Sequence, residues 1–499
     1  MIRGAVSYLS PRDPKRAQEE PCDCTLAFSA WEEAFGICSR LAGERYKKQG
    51  RAMVCAPHRT SGLYYLKWPP SLDPAPPRFV ELKKEIAGSY PDFEARVTKA
   101  WGEILQELEK ATKEIASKGS QNVPEVNFSE LGSLSPERVE EIKRKGSVVI
   151  RDVVDDAEAK EWQAWLREYV TKNPDIEGFP DHDKQFFQLY WTKSQVRARA
   201  HPNVLETTKW LNQMYHVKSG EQVENVDLTT PLNYADRFRI RHPGVQWDAH
   251  PPHIDGGSIE RWEDQVFRSC FADILSGNWR EHDPYDLRNR INARSSLYKR
   301  PNQSTVFRTY QGWLALSETA PNEGTLQVFP NVLLSNAYIV LRPFFTPKEG
   351  KSAESFAPED WQFDISNPDF PGIYSLGHAF TGPRPNTNSH PHLRLDETMV
   401  SVPKVFPGDM VFWHCDVIHA VEKQHVGKED STVMYIPAVP YTPANAAYVE
   451  RQRESFLKGS SPPDFPVTKG EGHCVGVGKE DDIENPVAKR AMGFSIEVA

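Results

Sequence analysis

Two short segments carry residue types able to do metal chemistry. The first, HPPHIDGGSIERWED (residues 250–264), contains His253-Ile254-Asp255. In extended chain, side chains two apart point the same way, so an imidazole and a carboxylate there can meet at one ion. The plainer alternative is a surface loop, or a helix start capped by Ser258. The second, FPGDMVFWHCDVIHAVE (residues 406–422), reads as a turn at Pro407-Gly408-Asp409, a buried strand from Met410 to Trp413, and then His414, Asp416 and His419. A separate His joining the upstream pair completes a two-His, one-carboxylate face with open positions, the arrangement suited to Fe(II) oxygen chemistry. His414 and Asp416 form a competing His-x-Asp whose plain reading is a core-edge His and a turn Asp. Spacing alone leaves His414 and His419 both open.

The elements that must position these residues change character along the chain. Between Phe79 and Ser117 helical periodicity dominates, with Phe93, Val97, Ala100, Trp101, Ile104, Leu105 and Leu108 three and four apart. Asp92 is a candidate cap for that helix. Ser135-Pro136-Glu137 starts another helix that should stop at Gly146. Ser147–Arg151 (SVVIR) then reads as a strand, and Asp155 opens a further helix. Beyond about residue 230, short β-branched and aromatic runs alternate with Pro, Gly and Asn: FRIRHPG, STVFRTYQGWLAL, TLQVFP, AYIVLRPFF, TMVSVPKVFPGDMVFW and STVMYIP. That punctuation predicts a β-sandwich or barrel. The expected organisation is a poorly ordered extension with a Pro-rich linker (1–78, including WPPSLDPAPP), a mainly helical support region (79–230), a β core (231–445) with an insertion at about 258–303, and a C-terminal extension (446–499).

Three segments, in order, resemble the Fe(II)/2-oxoglutarate dioxygenases, the phytanoyl-CoA hydroxylase-like group and within it the YbiU-like family. HIDGGS matches the His-x-Asp turn. NEGTLQVFPN (322–331), after LALSETAP, matches the stretch that follows an Ala-Leu strand. GDMVFWHCDVIHAV matches the strand whose last His is the ligand. The resemblance covers about residues 135–445, and GGSIERWE with the long insertion points to the YbiU-like branch. It implies an α+β fold, a double-stranded β-helix (a jelly-roll or cupin-like barrel) with N-terminal helical wrapping. It also implies Fe(II) held by His253, Asp255 and His419, with 2-oxoglutarate and O2 as cosubstrates. The reaction implied is hydroxylation of a small molecule with release of succinate and CO2, and Asp255 in place of a small residue argues against halogenation.

One departure bears on the cosubstrate. Relatives place an Arg on the last barrel strand to pair with the far carboxylate of 2-oxoglutarate, and Arg suits this because its planar fork binds carboxylate bidentately. Here that strand is Ser431–Pro437, without Arg. Candidate replacements are Arg239, Arg241 and Arg308 on flanking strands, with Arg342 and Arg394 as further options and Thr432 or Tyr435 as hydroxyl donors. The missing Arg supports one alternative, a cupin-like metalloenzyme that does not use 2-oxoglutarate; a second, a non-catalytic metal-binding barrel, is weighed against by the intact His253, Asp255 and His419. The interval from Asp255 to His419 is long, so the insertion, carrying Trp262, Phe267 and Trp279, is expected to leave the core as a lid or a solvated decoration.

Composition narrows the partners. Among 499 residues, 39% are hydrophobic and 26% charged, enough to bury a core. A net charge of −9 disfavours coating of nucleic acid or anionic membrane. No apolar run approaches the ~20 residues that span a bilayer, and the N-terminal stretch lacks the apolar segment of a secretory signal. The seven cysteines are scattered without a C-x-x-C pair, as free thiols in a reducing compartment would be. The expectation is a cytoplasmic protein acting on a small molecule, bound to neither nucleic acid nor membrane. The 40 prolines, well above the usual ~5%, fit a β scaffold with many corners rather than long helices.

Overall fold

The computed structural model describes residues 75–300 and 302–494. Nearly all of the N-terminal extension, including most of WPPSLDPAPP and four of the seven cysteines, lies outside the described residues. The strands of the two sheets that position the site begin with β1 (Glu125–Asn127), β2 (Ser147–Arg151), β3 (Gly178–Phe179), β4 (Phe186–Phe187), β5 (Phe238–Arg241) and β6 (Tyr310–Ala315). They continue with β7 (Leu326–Val328), β8 (Val400–Ser401), β9 (Met410–His414), β10 (His419–Val421) and β11 (Ser431–Tyr435). Eight of them form one sheet in the order β1-β2-β9-β6-β11-β5-β4-β3, antiparallel except for the β1–β2 pair. A second, antiparallel sheet has the order β8-β7-β10. The fold is thus mixed α+β with a large antiparallel sheet. The expected barrel is met only that far, because no sheet closes on itself.

The large sheet is buried on both faces, and side-chain alternation along each strand sorts residues between two cores. Met410 and Phe412 of β9, with Phe238 and Ile240 of β5 and Met434 of β11, pack in a cluster with Ile142, Trp162 and Leu166. The last three come from α3 (Pro136–Lys145) and α4 (Asp156–Lys172). Val411, Trp413 and Val433 point the other way, into a cluster shared with Leu326 and Val328 of the small sheet. On β5 the same alternation turns Arg239 and Arg241 to that inner side, where an apolar residue would be routine.

Helix ends follow local chemistry. The Ser135 hydroxyl accepts the Arg138 N–H at the start of α3, and Gly146 ends that helix at φ +72°. Asp155 accepts from Ala157 N and Glu158 N at the start of α4. Asp92, the expected cap, instead sits in the left-handed region before α2 (Phe93–Lys118) and makes no cap bond. A helix with α1 (Arg78–Gly88) preceding it in sequence, α2 lays Trp101 against Tyr338, rings stacked at 5.3 Å. Tyr338 belongs to α5 (Val332–Leu341), which is apolar nearly all round and correspondingly buried.

The insertion does not leave the core. Trp262, Phe267, Phe271 and Trp279 are buried in the cluster that holds the inner sheet residues. Trp262 Nε1 donates to the Val340 carbonyl at 3.1 Å, and Trp279 Nε1 to Glu103 at 3.2 Å. Among the described residues no helix is long and apolar enough to cross a membrane, and Cys270, Cys415 and Cys474 are free thiols.

Candidate metal centre

The His-x-Asp segment docks on β10 as an irregular extra strand. His253 N donates to His419 O and His419 N to His253 O, both at 2.9 Å. The next rungs run from Val421 N to His250 O at 3.0 Å and from Trp247 N to Lys423 O at 2.7 Å. This direct pairing sets the two imidazoles side by side, ring centroids 4.1 Å apart. Asp255, two residues on, reaches both: 3.6 Å from His253 Nε2 and 3.7 Å from His419 Nε2. One ligand atom from each of the three lies within 4.8 Å of the others. Spacing left His414 and His419 open; the geometry places His419 with His253 and Asp255.

The tautomers suit a metal. His253 Nδ1 faces the Pro251 carbonyl at 2.7 Å and His419 Nδ1 the Val417 carbonyl at 3.0 Å. A carbonyl only accepts, so each Nδ1 carries the proton and each Nε2 keeps its lone pair toward Asp255. Burial, then the neighbouring His419, keeps His253 well below the ordinary imidazole range, and burial lowers His419 too. Burial alone would raise the Asp255 carboxyl; the flanking His253 and His419, with Arg308 and Arg384, more than offset it and keep it ionised. Two neutral imidazoles and a carboxylate are a donor set for a divalent transition metal.

The second grouping within metal-binding distance, His414, Cys415 and Asp416, has its donors already committed. His414 Nδ1 accepts from Asp416 N at 3.1 Å and its Nε2 faces Pro284 O at 3.1 Å. Asp416, 1% exposed, pairs with Arg261 at 2.7 Å and Arg290 at 2.5 Å. This ion-pair cluster has a bearing on the centre. Arg261 Nη2 donates to Asp255 O at 2.9 Å and Gly256 O at 3.4 Å, while its Nη1 holds Asp416, three residues before His419. One guanidinium therefore ties the His-x-Asp turn to the turn between β9 and β10. Sequence reasoning missed it; the only signal was an Arg in the GGSIERWE string.

The three residues open into a cleft of about 790 Å³, including the space at its mouth, lined by residues of both sheets. Its lining includes His250, Gln311, Trp313, Trp413, Tyr435 and Arg239. Arg239 is 1% exposed and donates through Nη2 to Gly324 O at 3.1 Å. Its Nε and Nη1, and Trp413 Nε1, are buried without a partner among the described residues. Three orphaned donors in one cleft cost free energy unless an acceptor-rich ligand meets them. His250 also presents a donor to the cleft: its Nδ1 accepts from Trp247 Nε1 at 2.8 Å, so its own proton sits on Nε2. Burial first, then neighbouring arginines, keeps this imidazole neutral.

The other candidate cosubstrate residues are placed differently. Arg308 also lines the cleft, with its guanidinium over the Tyr234 ring at 5.5 Å. Arg241 faces inward but does not line the cleft: it donates to the carbonyls of Glu422 and Val245, both at 3.1 Å, and only its Nε is without a partner among the described residues. Thr432 pairs with Ile240 in the sheet and points to the outer face with it; its hydroxyl accepts from Gln163 on α4 at 3.0 Å. It is not part of the cleft, because Val433 and Tyr435 hold the inward phase of β11. Arg342 donates to Ser389 O and Phe345 O, and Arg394 lies over the Phe356 ring; neither lines the cleft.

Comparison with known proteins places the whole described region in one family. The Gig2-like family model matches residues 73–494. The uncharacterized protein YbiU of Escherichia coli (strain K12) is 30% identical over 388 residues, 75% of this chain and 86% of YbiU. Among solved structures, GlcNAc Inducible Gene 2 from Candida albicans superposes with a TM-score of 0.75 at 33% identity, covering 86% of this chain and 92% of that one. A hypothetical protein of Escherichia coli gives 0.70 at 26% identity, covering 85% and 100%. With the match spanning the metal-centre segments as well as the helices around them, the chain belongs to the Gig2-like family.

Proposed function

We propose that this protein is an Fe(II)- and 2-oxoglutarate-dependent dioxygenase that hydroxylates a small molecule in the cytoplasm. In this reading the two sheets are the halves of a double-stranded β-helix, and the cleft between them is its open mouth. The observation that carries the reading is the juxtaposition of two features in one cleft. One is a two-His, one-carboxylate face with both Nε2 lone pairs free. The other is a buried arginine with two unpartnered N–H groups.

Arg239 answers the missing Arg of the last strand. β5 pairs with β11, and Arg239 sits directly opposite Val433. A guanidinium displaced by one strand thus reaches the same inner face that an Arg on β11 would. It would take the far carboxylate of 2-oxoglutarate, with Trp413 Nε1, His250 Nε2–H and the Tyr435 hydroxyl as further donors on the same wall. This weakens the alternative of a metalloenzyme without 2-oxoglutarate, whose best support was the absent arginine.

His253, Asp255 and His419 would hold iron, which when bound supplies the chemistry that couples oxidative decarboxylation of 2-oxoglutarate to oxygen insertion. The chain's own contribution is to keep both imidazoles neutral and the carboxylate ionised. It also fixes their mutual orientation through backbone pairing. Aerobic incubation with Fe(II) and 2-oxoglutarate labelled at C1 should release labelled CO2 and succinate, and His253→Ala should stop it. Turnover absent across a broad substrate panel, or undiminished in His253→Ala, would count against the assignment.

A further inference from the structure

The cleft has a second cationic region, centred on Arg308 and the Asp255 carboxylate rather than on Arg239. Asp255 is the open side of the metal face: its side chain is 41% exposed, against 7% and 6% for His253 and His419. Three arginines from three segments act on Asp255 electrostatically, and one of them, Arg308, lines the cleft itself. Arg308, on the segment leading into β6, lines the cleft with its guanidinium over the Tyr234 ring at 5.5 Å. Arg384 follows Pro383, whose carbonyl accepts Ile254 N at 3.0 Å, so it is rooted against the His-x-Asp turn itself. Arg300 ends the insertion, and its Nε is buried without a partner among the described residues.

None of the three guanidinium groups has an ion pair among the described residues, in a protein whose arginines elsewhere pair freely (Arg261, Arg290 and Arg294 among them). The carboxylate that Arg300, Arg308 and Arg384 share electrostatically is Asp255. Asp255 is claimed by the metal, whose own charge it only half offsets. The 2-oxoglutarate dianion is met by the metal and Arg239. Of the neighbouring acids, Asp236 is held by Arg237 at 2.9 Å, Glu260 acts on Arg300, and Asp464 interacts with Arg308. Three guanidinium groups against those last two acids still leave positive charge in excess, and uncompensated charge removed from bulk water is costly.

Resting on the dioxygenase reading, we infer that the substrate is a small anionic molecule whose carboxylate or phosphate is bound by Arg308 with Arg300 and Arg384 beside Asp255. Tyr234, Asn302 and Ser304 also line the cleft, as do Phe186, Pro437 and Phe465, so the charged group is the feature that the arginines select. Arg308 and Arg384 then act as specificity determinants, placing one C–H bond of an anionic substrate on the exposed side of the metal face.

The test titrates sulfate, a simple dianion, into the full-length protein loaded with Mn(II) and saturating 2-oxoglutarate, so that Arg239 is occupied. Saturable sulfate binding is expected, weakened about tenfold by Arg308→Ala or Arg384→Ala and partly retained in Arg308→Lys. In the same variants 2-oxoglutarate affinity should change little, which also shows that they are folded. Sulfate that does not bind the wild type, or binds Arg308→Ala and Arg384→Ala undiminished, would overturn the proposal. If 2-oxoglutarate itself fails to bind, the dioxygenase reading falls, while sulfate binding to the Mn(II)-loaded protein still reads the anion site on its own.

Discussion

The Arg261 clamp gives a prediction in which stability and metal affinity separate. Asp416 is buried between two guanidinium groups that are themselves 3% and 4% exposed. Asp416→Ala strands both charges, and breaking a buried pair in this way costs about 3–5 kcal/mol. Arg261→Met is the more informative change. It leaves Asp416 paired with Arg290 at 2.5 Å and near Asn336 Nδ2 at 3.3 Å, so the fold should survive. What it removes is the tie from Arg261 to the carbonyls of Asp255 and Gly256. Loss of a group that orients metal ligands without touching the metal typically lowers affinity about 10–100-fold. At saturating metal this cuts the metal-induced stabilisation by about 1.4–2.7 kcal/mol. Denaturant unfolding of the metal-free protein measures the first effect and Mn(II) titration the second. Arg261→Met that unfolds earlier yet binds Mn(II) with wild-type affinity would refute the reasoning, since Arg261 would then be structural only. The Asp416 contribution also has a pH sign. Burial would raise this carboxyl, but Arg290 and Arg261 hold it well below the usual range. Its stabilisation is therefore present above the ordinary carboxylate pKa of about 4 and lost as pH falls through its lower folded value.

Other expectations follow from residues treated above and from one buried acid. Arg239→Gln should weaken 2-oxoglutarate binding about a hundredfold, the loss of two hydrogen bonds to a charged group, with Mn(II) affinity unchanged; calorimetric titration of each ligand reads the split. Thr432→Val should leave 2-oxoglutarate binding untouched and cost about 1 kcal/mol of stability through the lost Gln163 bond; weakened cosubstrate binding would place Thr432 in the site after all. Glu471 accepts from Tyr190 N at 2.7 Å and Trp191 N at 3.1 Å, and burial raises it to about 7. Because that folded value exceeds the usual ~4.5, its contribution is full below pH ~4.5 and up to about 3 kcal/mol is lost as pH rises through 7. Unfolding free energies at pH 5 and pH 8 should differ less in Glu471→Gln than in wild type, and an unchanged difference would exonerate Glu471.

How much of this was readable beforehand depended on the range of the interaction involved. His253 and Asp255 were legible because a two-residue spacing is a local fact, and His419 because three ordered segments resembled a known pattern. Local chemistry also announced the Ser135 and Asp155 caps and the Gly146 stop. Choosing Arg239 from three arginines needed the register of β5 against β11 and the inward phase of both strands, which a single sequence does not encode. The same one-residue phase moved Thr432 to the outer face. The insertion was misjudged because chain length was used to argue against core membership. Its aromatic residues, Trp262, Phe267 and Trp279, are instead part of the core. The Arg261–Asp416 pair was unreadable for the plainest reason: its partners are far apart in sequence, Asp416 offering only a turn Asp or a competing His-x-Asp and Arg261 no local signal.

The central claim is that one cleft holds both a metal on His253, Asp255 and His419 and a dicarboxylate on Arg239. A crystal structure of the protein with Mn(II) and 2-oxoglutarate under anaerobic conditions tests it most directly. The account predicts the ion on the two Nε2 atoms and the Asp255 carboxylate, with the far carboxylate of 2-oxoglutarate on Arg239 Nε and Nη1. A metal held by other residues, or 2-oxoglutarate absent from the Arg239 wall at saturating concentration, would contradict it.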